Sequence, residues 1–202
     1  SIKKQTYSNW EIILFTENFS NEIVSSKIDE IVNDSDSKIR YFNNNSNSSL
    51  KEILNCNGSF FGFVHSGVQL SKFSLYEFIK KLNSVTSEIL YCDHDEIDEN
   101  NLHQNPFFKP NWSPYLLRST DYFSPFYMIK KDILEKIDLN SKFNDCFDFD
   151  ILLRCTEITE KITHIPIPLC SIKNKKIQKS NPQHHQSILE NHLNRMDIHA
   201  DV

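Results

Sequence analysis

The sequence predicts an α/β fold in one principal domain, and three observations carry that expectation. Short, continuous apolar runs rich in Ile and Phe recur at 10–15, 38–42, 59–64 and 88–92, as in strands buried on both faces of a parallel sheet. Stretches of helical period separate them, so strands and helices alternate as in right-handed βαβ crossovers. The 202 residues, 39% hydrophobic and 12% aromatic, suffice for one sizeable core and not for two.

The elements follow in order. "SIKKQTYSNW" reads as the end of an apolar-faced helix already under way, with Ile2 inward and Asn9-Trp10 closing it, as though cut from something longer. "WEIILF" is the first strand, and "SNEIVSSKIDEIVN" then places Ile23, Ile28 and Ile31 towards one side of a helix. "KIRYF" and "SFFGFV" are the next strands, and "SKFSLYEFIKKLNS" predicts a helix with Phe73, Tyr76, Ile79 and Lys80 along one side. "EILYC" is the fourth strand. Residues 93–122, with Pro106, Pro110 and Pro114 and few periodic apolars, predict a long ordered loop, and long loops in compact domains are usually functional. After it come a strand over "FYMIKK", a helix from Asp132, a helix over "DFDILLRCTEITEK" and a short strand "THIPI". Residues 1–180 are read as the domain and 181–202 as a helical tail leading to a further module.

Composition excludes several classes. A net charge of -5 and scattered basic residues, the best cluster being "IKNKKIQK", argue against a nucleic-acid partner. No apolar run approaches the roughly 20 residues that cross a bilayer, and no signal segment opens the chain, so a cytoplasmic placement is expected. The five cysteines form no CxxC pair and are odd in number, which fits buried, reduced thiols.

The chemistry-bearing stretches are few. "YCDHDEIDENN" puts Asp93 and Asp95 directly after a buried strand, where ligands of α/β sheets bind, although an acidic loop at a strand end looks the same. "FDFDILLR" places Asp148 and Asp150 in a first helical turn, where the helix dipole alone would favour them, and Arg154 four residues after Asp150 on one face. Trp112, with an apolar body and a polar tip, could pin the long Pro-bounded loop to the domain. His164 reads as a strand-end hydrogen-bonding residue, and His184, His185 and His192 lack the Cys partners of a structural zinc site.

Taken together, these blocks resemble family 2 glycosyltransferases of the subgroup in O-antigen and other surface-polysaccharide synthesis. "SIKKQTYSNWEIILF" is similar to the family's first helix and second strand, and "YCDHDEIDENN", "PFFKPNWSPYLL", "FDFDILLRCTE" and "HIPIPL" to four later blocks; "FKPNWSP" is the most specific. The resemblance implies a Rossmann-like GT-A nucleotide-diphospho-sugar transferase fold lacking its first strand, which an upstream extension of the chain would supply with a gain in melting temperature. It implies a nucleotide-sugar donor, a glycan acceptor, inverting transfer, a divalent Mn or Mg ion, a cytoplasmic site peripheral to the inner membrane, and flanking domains. Asp148 would be the base, oriented by Asp150 and Arg154, while Glu17, Asp93, Asp95, Lys109 and Trp112 would line the donor or acceptor pocket. The family's Asp-x-Asp-Asp falls on His65, Ser66, Gly67 and Val68, where only His65 could ligate a metal, and its late His falls on Ser171. A lapsed pseudoenzyme that binds glycan or nucleotide, or braces a neighbouring domain, is the alternative; a Mg²⁺-dependent phosphoryl transferase using Asp93 and Asp95 is a third reading without a Gly-rich phosphate cradle.

Overall fold

The computed structural model describes residues 1–16, 38–43, 54–65, 67–137, 146–173 and 182–200. Glu17 and the helix expected over 20–33 lie outside them. The described elements are a 3-10 turn Ile2–Lys4, β1 Ile12–Thr16, β2 Ile39–Asn43, β3 Phe60–Val64, β4 Val68–Leu70, α1 Ser74–Leu82, β5 Ile89–Ile97, β6 His103–Phe107, α2 Pro114–Ser119, β7 Phe126–Lys130, α3 Lys131–Leu134, α4 Phe147–Thr156, β8 Ile162–Lys173 and α5 Pro182–Arg195.

β1 and β2 pair in parallel, and the larger sheet runs β3-β7-β5-β8-β4. Contrary to the parallel expectation it is mixed: β5 and β8 are parallel, whereas β3 with β7, β7 with β5 and β4 with β8 are antiparallel. The reason is that β7 returns along β5 as an antiparallel neighbour, although its apolar run reads like that of any buried strand. Among the described residues no ladder joins β1 to β3. Glu11, at the foot of β1, instead accepts from the backbone N–H of Asn57 and Gly58, at 2.8 and 3.3 Å, and pairs with Arg40 at 2.7 Å.

Period-two alternation assigns the core. Ile89, Tyr91, Tyr127 and Ile129 face one layer with Ile151, Leu152 and Leu153 of α4 and Ile188 and Leu189 of α5. Leu90, Cys92, Phe126 and Met128 face the other, against Phe78 of α1 and Leu169 of β8. Helices on both faces make the α/β sandwich that the alternation of elements predicts. All five cysteines are buried.

Five elements differ from expectation. The opening segment is one 3-10 turn followed by extended chain, because Gln5 and Thr6 bond outward to the α1 entrance: Gln5 Nε2 donates to the Ser71 carbonyl at 2.7 Å and Thr6 N to that of Lys72 at 2.9 Å. α1 buries Ser74 and Phe78 and leaves Phe73 and Tyr76 outside; aromatic size misled the choice of face. Residues 93–122 are not a loop: β5 continues to Ile97, β6 returns beside it and α2 follows, their polar sequences hiding an exposed hairpin. The "THIPI" strand runs on to Lys173, and the helix from Asp132 is a single turn.

One irregularity positions the site. Along β8, Cys92 faces Ile165, Asp93 faces Pro168 and His94 faces Cys170, so two residues of β8 are passed over before Asp93 and one after it. Pro166 and Pro168 have no N–H to give to a ladder, which accounts for the slip.

Candidate active site

His65 leaves β3 directly, and Asp148 stands in the first turn of α4. The two meet with His65 Nε2 2.6 Å from Asp148 Oδ2. Tyr127 fixes the base of this pair, its hydroxyl donating to the Asp148 carbonyl at 2.9 Å while Phe63 stacks on its ring at 5.3 Å. Asp150 and Arg154 pair with each other, the guanidinium Nε lying 3.0 Å from both carboxylate oxygens, as their spacing predicts. The side chain that holds Asp148 is therefore His65.

The hydrogen bond to the Asp148 carboxylate raises the His65 pKa above the usual imidazole value; burial opposes the shift, and the charges of Asp148 and Asp121 add to it. A raised folded-state pKa contributes stability that is complete below the unfolded value of about 6.5 and is lost as pH rises through the folded one. His65→Gln is accordingly expected to lower the melting temperature at pH 5.5 more than at pH 8.5, values that bracket the ordinary imidazole range of about 6–7. An equal loss at both would mean that the pair is held by a neutral imidazole.

Sequence reasoning missed Asp121. Burial raises its carboxyl pKa, hydrogen bonding from Ser124 opposes this, and the Asp148 charge raises it further. Its Oδ1 accepts from the backbone N–H of Phe123 and Ser124 at 3.2 and 3.3 Å, and Oδ2 accepts from the Ser124 hydroxyl. The available signal, Asp followed three residues later by Ser, marks a turn and gives no hint of a carboxylate near His65 and Asp148.

The Asp93 and Asp95 pair divides. Asp93 is 1% exposed, and its Oδ1 meets His164 Nε2 at 2.6 Å and accepts from the backbone N–H of Lys109 at 2.9 Å. It thus ties β5 to β8, at the slip, and to the segment after β6. Lys109 turns inward as well: its ammonium donates at 2.8 Å to the carbonyls of both Phe123 and Ser124, and burial lowers its pKa. Trp112 packs edge-on against Phe123 at 5.7 Å, which stacks on Tyr91 at 4.0 Å. Asp95 lies on the β5–β6 hairpin, 2.8 Å from His103 Nδ1, with its Oδ1 buried and unbonded. Next to it His94 is pushed down to about 4 by burial first and then by the Lys109 charge.

The residues do not suit a divalent ion as they stand. Among the described residues no three of His, Cys, Asp and Glu converge on a point, and His65 and Asp148 are bonded to each other. The tail histidines serve packing: His185 stacks on Phe149 at 4.4 Å, and His192 bridges Glu157 at 2.7 Å and Arg118 at 3.1 Å, locking α5 to α4 and α2.

No family model matches the chain. Over 176 residues the chain is 32% identical to the O-antigen biosynthesis protein RfbC of Myxococcus xanthus, covering 84% of this chain and 14% of that protein. It is 23% identical over 174 residues to the uncharacterized protein y4gI of Sinorhizobium fredii, covering 82% and 19%. The chain thus spans less than a fifth of the length of either curated relative. Among solved structures, S. aureus TarS in complex with UDP-GlcNAc superposes with a TM-score of 0.73 at 12% identity, covering 100% of this chain and 62% of that one. TarS with UDP gives 0.62 at 15% identity, covering 96% and 65%. The chain has the α/β GT-A fold seen in TarS.

Proposed function

We propose that this domain transfers a sugar from a nucleotide-sugar donor to a growing surface glycan, with inversion at the transferred carbon. The observation that supports this most is the His65–Asp148 pair in a glycosyltransferase-like fold. In this reading the acceptor hydroxyl oxygen attacks the anomeric carbon opposite the diphosphate, the carbon–oxygen bond to phosphate breaks, and Asp148 takes the hydroxyl proton. His65, drawn towards its protonated form, places positive charge where the diphosphate develops negative charge. Asp95 borders the pocket, and Asp93, Lys109 and Trp112 form its braced wall. Asp148 and His65 would be the residues to hold a divalent ion, which would offset charge on the diphosphate, and each would have to give up its bond to the other. The domain works at the cytoplasmic face of the membrane, within a longer chain; no helix among the described residues is long and apolar enough to cross a bilayer.

The test is nucleotide release from UDP-, GDP- and dTDP-sugars in the presence of extracted cell-surface glycan. The intact protein should release one nucleotide, and Asp148→Asn should not. One observation favours the second reading, a lapsed or bracing domain: Asp148 is already engaged, and no three-ligand metal group stands beside it among the described residues. That reading requires that no nucleotide be released from any donor.

A further inference from the structure

The segment between β5 and α2 carries large apolar side chains that the fold does not use. Phe108 is 70% and Tyr115 78% exposed, and Leu102 and Phe107 are also open to solvent. Exposed rings on mobile loops are unremarkable, but these stand on a fixed frame. Beside Phe108, Lys109 is held by its N–H to Asp93 and by its ammonium to two carbonyls. Pro110 accepts from the Tyr91 hydroxyl at 2.7 Å, and Ser113 N donates to that of Tyr122 at 2.9 Å. Turning Lys109 inward is what turns its neighbour Phe108 outward, so a buried ammonium holds an apolar ring in water.

We propose that this ridge is a saccharide-binding platform, with Phe108 and Tyr115 as the rings on which sugar units lie. Sugars present apolar C–H faces that sit on rings, and hydroxyl rims that need donors and acceptors, here His103, Gln104, Asn105 and Asn111, all exposed. Charge argues against other occupants. Asp95, Glu96, Asp98 and Glu99 crowd the hairpin, which repels an anionic lipid surface or a nucleic acid. A second copy pairing along the β6 edge is disfavoured by Pro106, which has no N–H, and by the irregularity at Asn105, whose φ is 48°. The ridge is tied to the candidate active site by a line of ring contacts, Trp112 to Phe123 at 5.7 Å and Phe123 to Tyr127 at 6.4 Å, ending at the Tyr127 bond to Asp148. That the saccharide is the acceptor glycan rests on the function proposed above; that the rings bind saccharide does not. Arg118 lies over one face of Tyr115 at 5.8 Å, holding the ring steady for a sugar on its other face.

The test is titration of the protein with neutral tetrasaccharides of rhamnose, glucose, mannose or N-acetylglucosamine, read from the aromatic NMR signals of Phe108 and Tyr115, with UDP titrated separately. At least one tetrasaccharide should shift both rings at millimolar concentration, and Phe108→Ala/Tyr115→Ala should weaken it about tenfold with UDP binding and circular dichroism unchanged. The platform is refuted if no tetrasaccharide moves either ring, if binding survives the double substitution, or if that substitution instead turns a dimer into a monomer. Saccharide binding with no nucleotide binding would keep the platform and remove the transferase reading; UDP binding alone would do the reverse.

Discussion

Asp148→Asn is expected to lower glycosyl transfer about 10²–10⁴-fold while the domain stays folded, since an amide fills the same volume but cannot take up a proton at neutral pH. Its neighbour sharpens the test. An Asn side chain still offers His65 an oxygen at the place where Oδ2 now lies 2.6 Å from Nε2, so the pair's geometry has a means of surviving. The loss should therefore fall on kcat, with donor KM little changed, the pattern of an interaction made chiefly in the transition state. His65→Gln should act differently: it removes the charge that faces the diphosphate, so both donor affinity and rate should fall, and the fall should be smaller than for Asp148→Asn. Rates that stay within a factor of about two of the unaltered protein in Asp148→Asn would rule this carboxylate out as the base.

His164→Ala should be among the most destabilising substitutions in the chain, costing about 3–5 kcal/mol. The His164 and Asp93 side chains are 7% and 1% exposed, and removing the imidazole leaves the Asp93 carboxylate buried with the bond it accepts from the Lys109 backbone N–H. The consequence spreads because the carboxylate joins β5, β8 and the segment of Lys109, and because the His164 ring also stacks on Tyr91 at 4.9 Å. A domain of ordinary stability, about 5–15 kcal/mol, has little margin for such a loss. Urea denaturation checks it, and a double replacement, Asp93→Leu with His164→Phe, isolates the cause: removing both buried polar partners together should recover much of the stability. A loss below about 0.5 kcal/mol for His164→Ala would place it with ordinary surface substitutions and refute the bracing role.

The reach of the sequence divides along physical lines. Continuous apolar runs gave β1, β2, β3 and β7 to within a residue or two, because burial on both faces leaves a local trace. The β5–β6 hairpin left none: its residues are polar and its pairing is carried by backbone, so a Pro- and Asn-rich stretch looked like a loop. The face of α1 was misjudged because Phe73 and Tyr76 outweigh Phe78 in number, whereas the neighbouring Ser74 packs into the Leu169 carbonyl. In the candidate site, Asp148, Asp150 and Arg154 were visible as a spaced set on one helix, and the Asp150–Arg154 pair follows from that spacing. The partnership of His65 with Asp148 was not visible, since it joins residues 83 apart that only the crossing of β3 and α4 brings together. Asp93 was legible as an acid after a strand, but its commitment to His164 depends on the slip in β8 at Pro166 and Pro168, a feature of register that no local pattern encodes.

The measurement that bears most directly on the central claim is calorimetric titration of the protein with UDP, GDP and dTDP, each with and without Mn²⁺, repeated on His65→Gln. The account predicts that one nucleoside diphosphate binds, that it binds without Mn²⁺, and that His65→Gln weakens it. Failure of all three nucleotides to bind, with or without the metal, would contradict the account and leave a bracing domain.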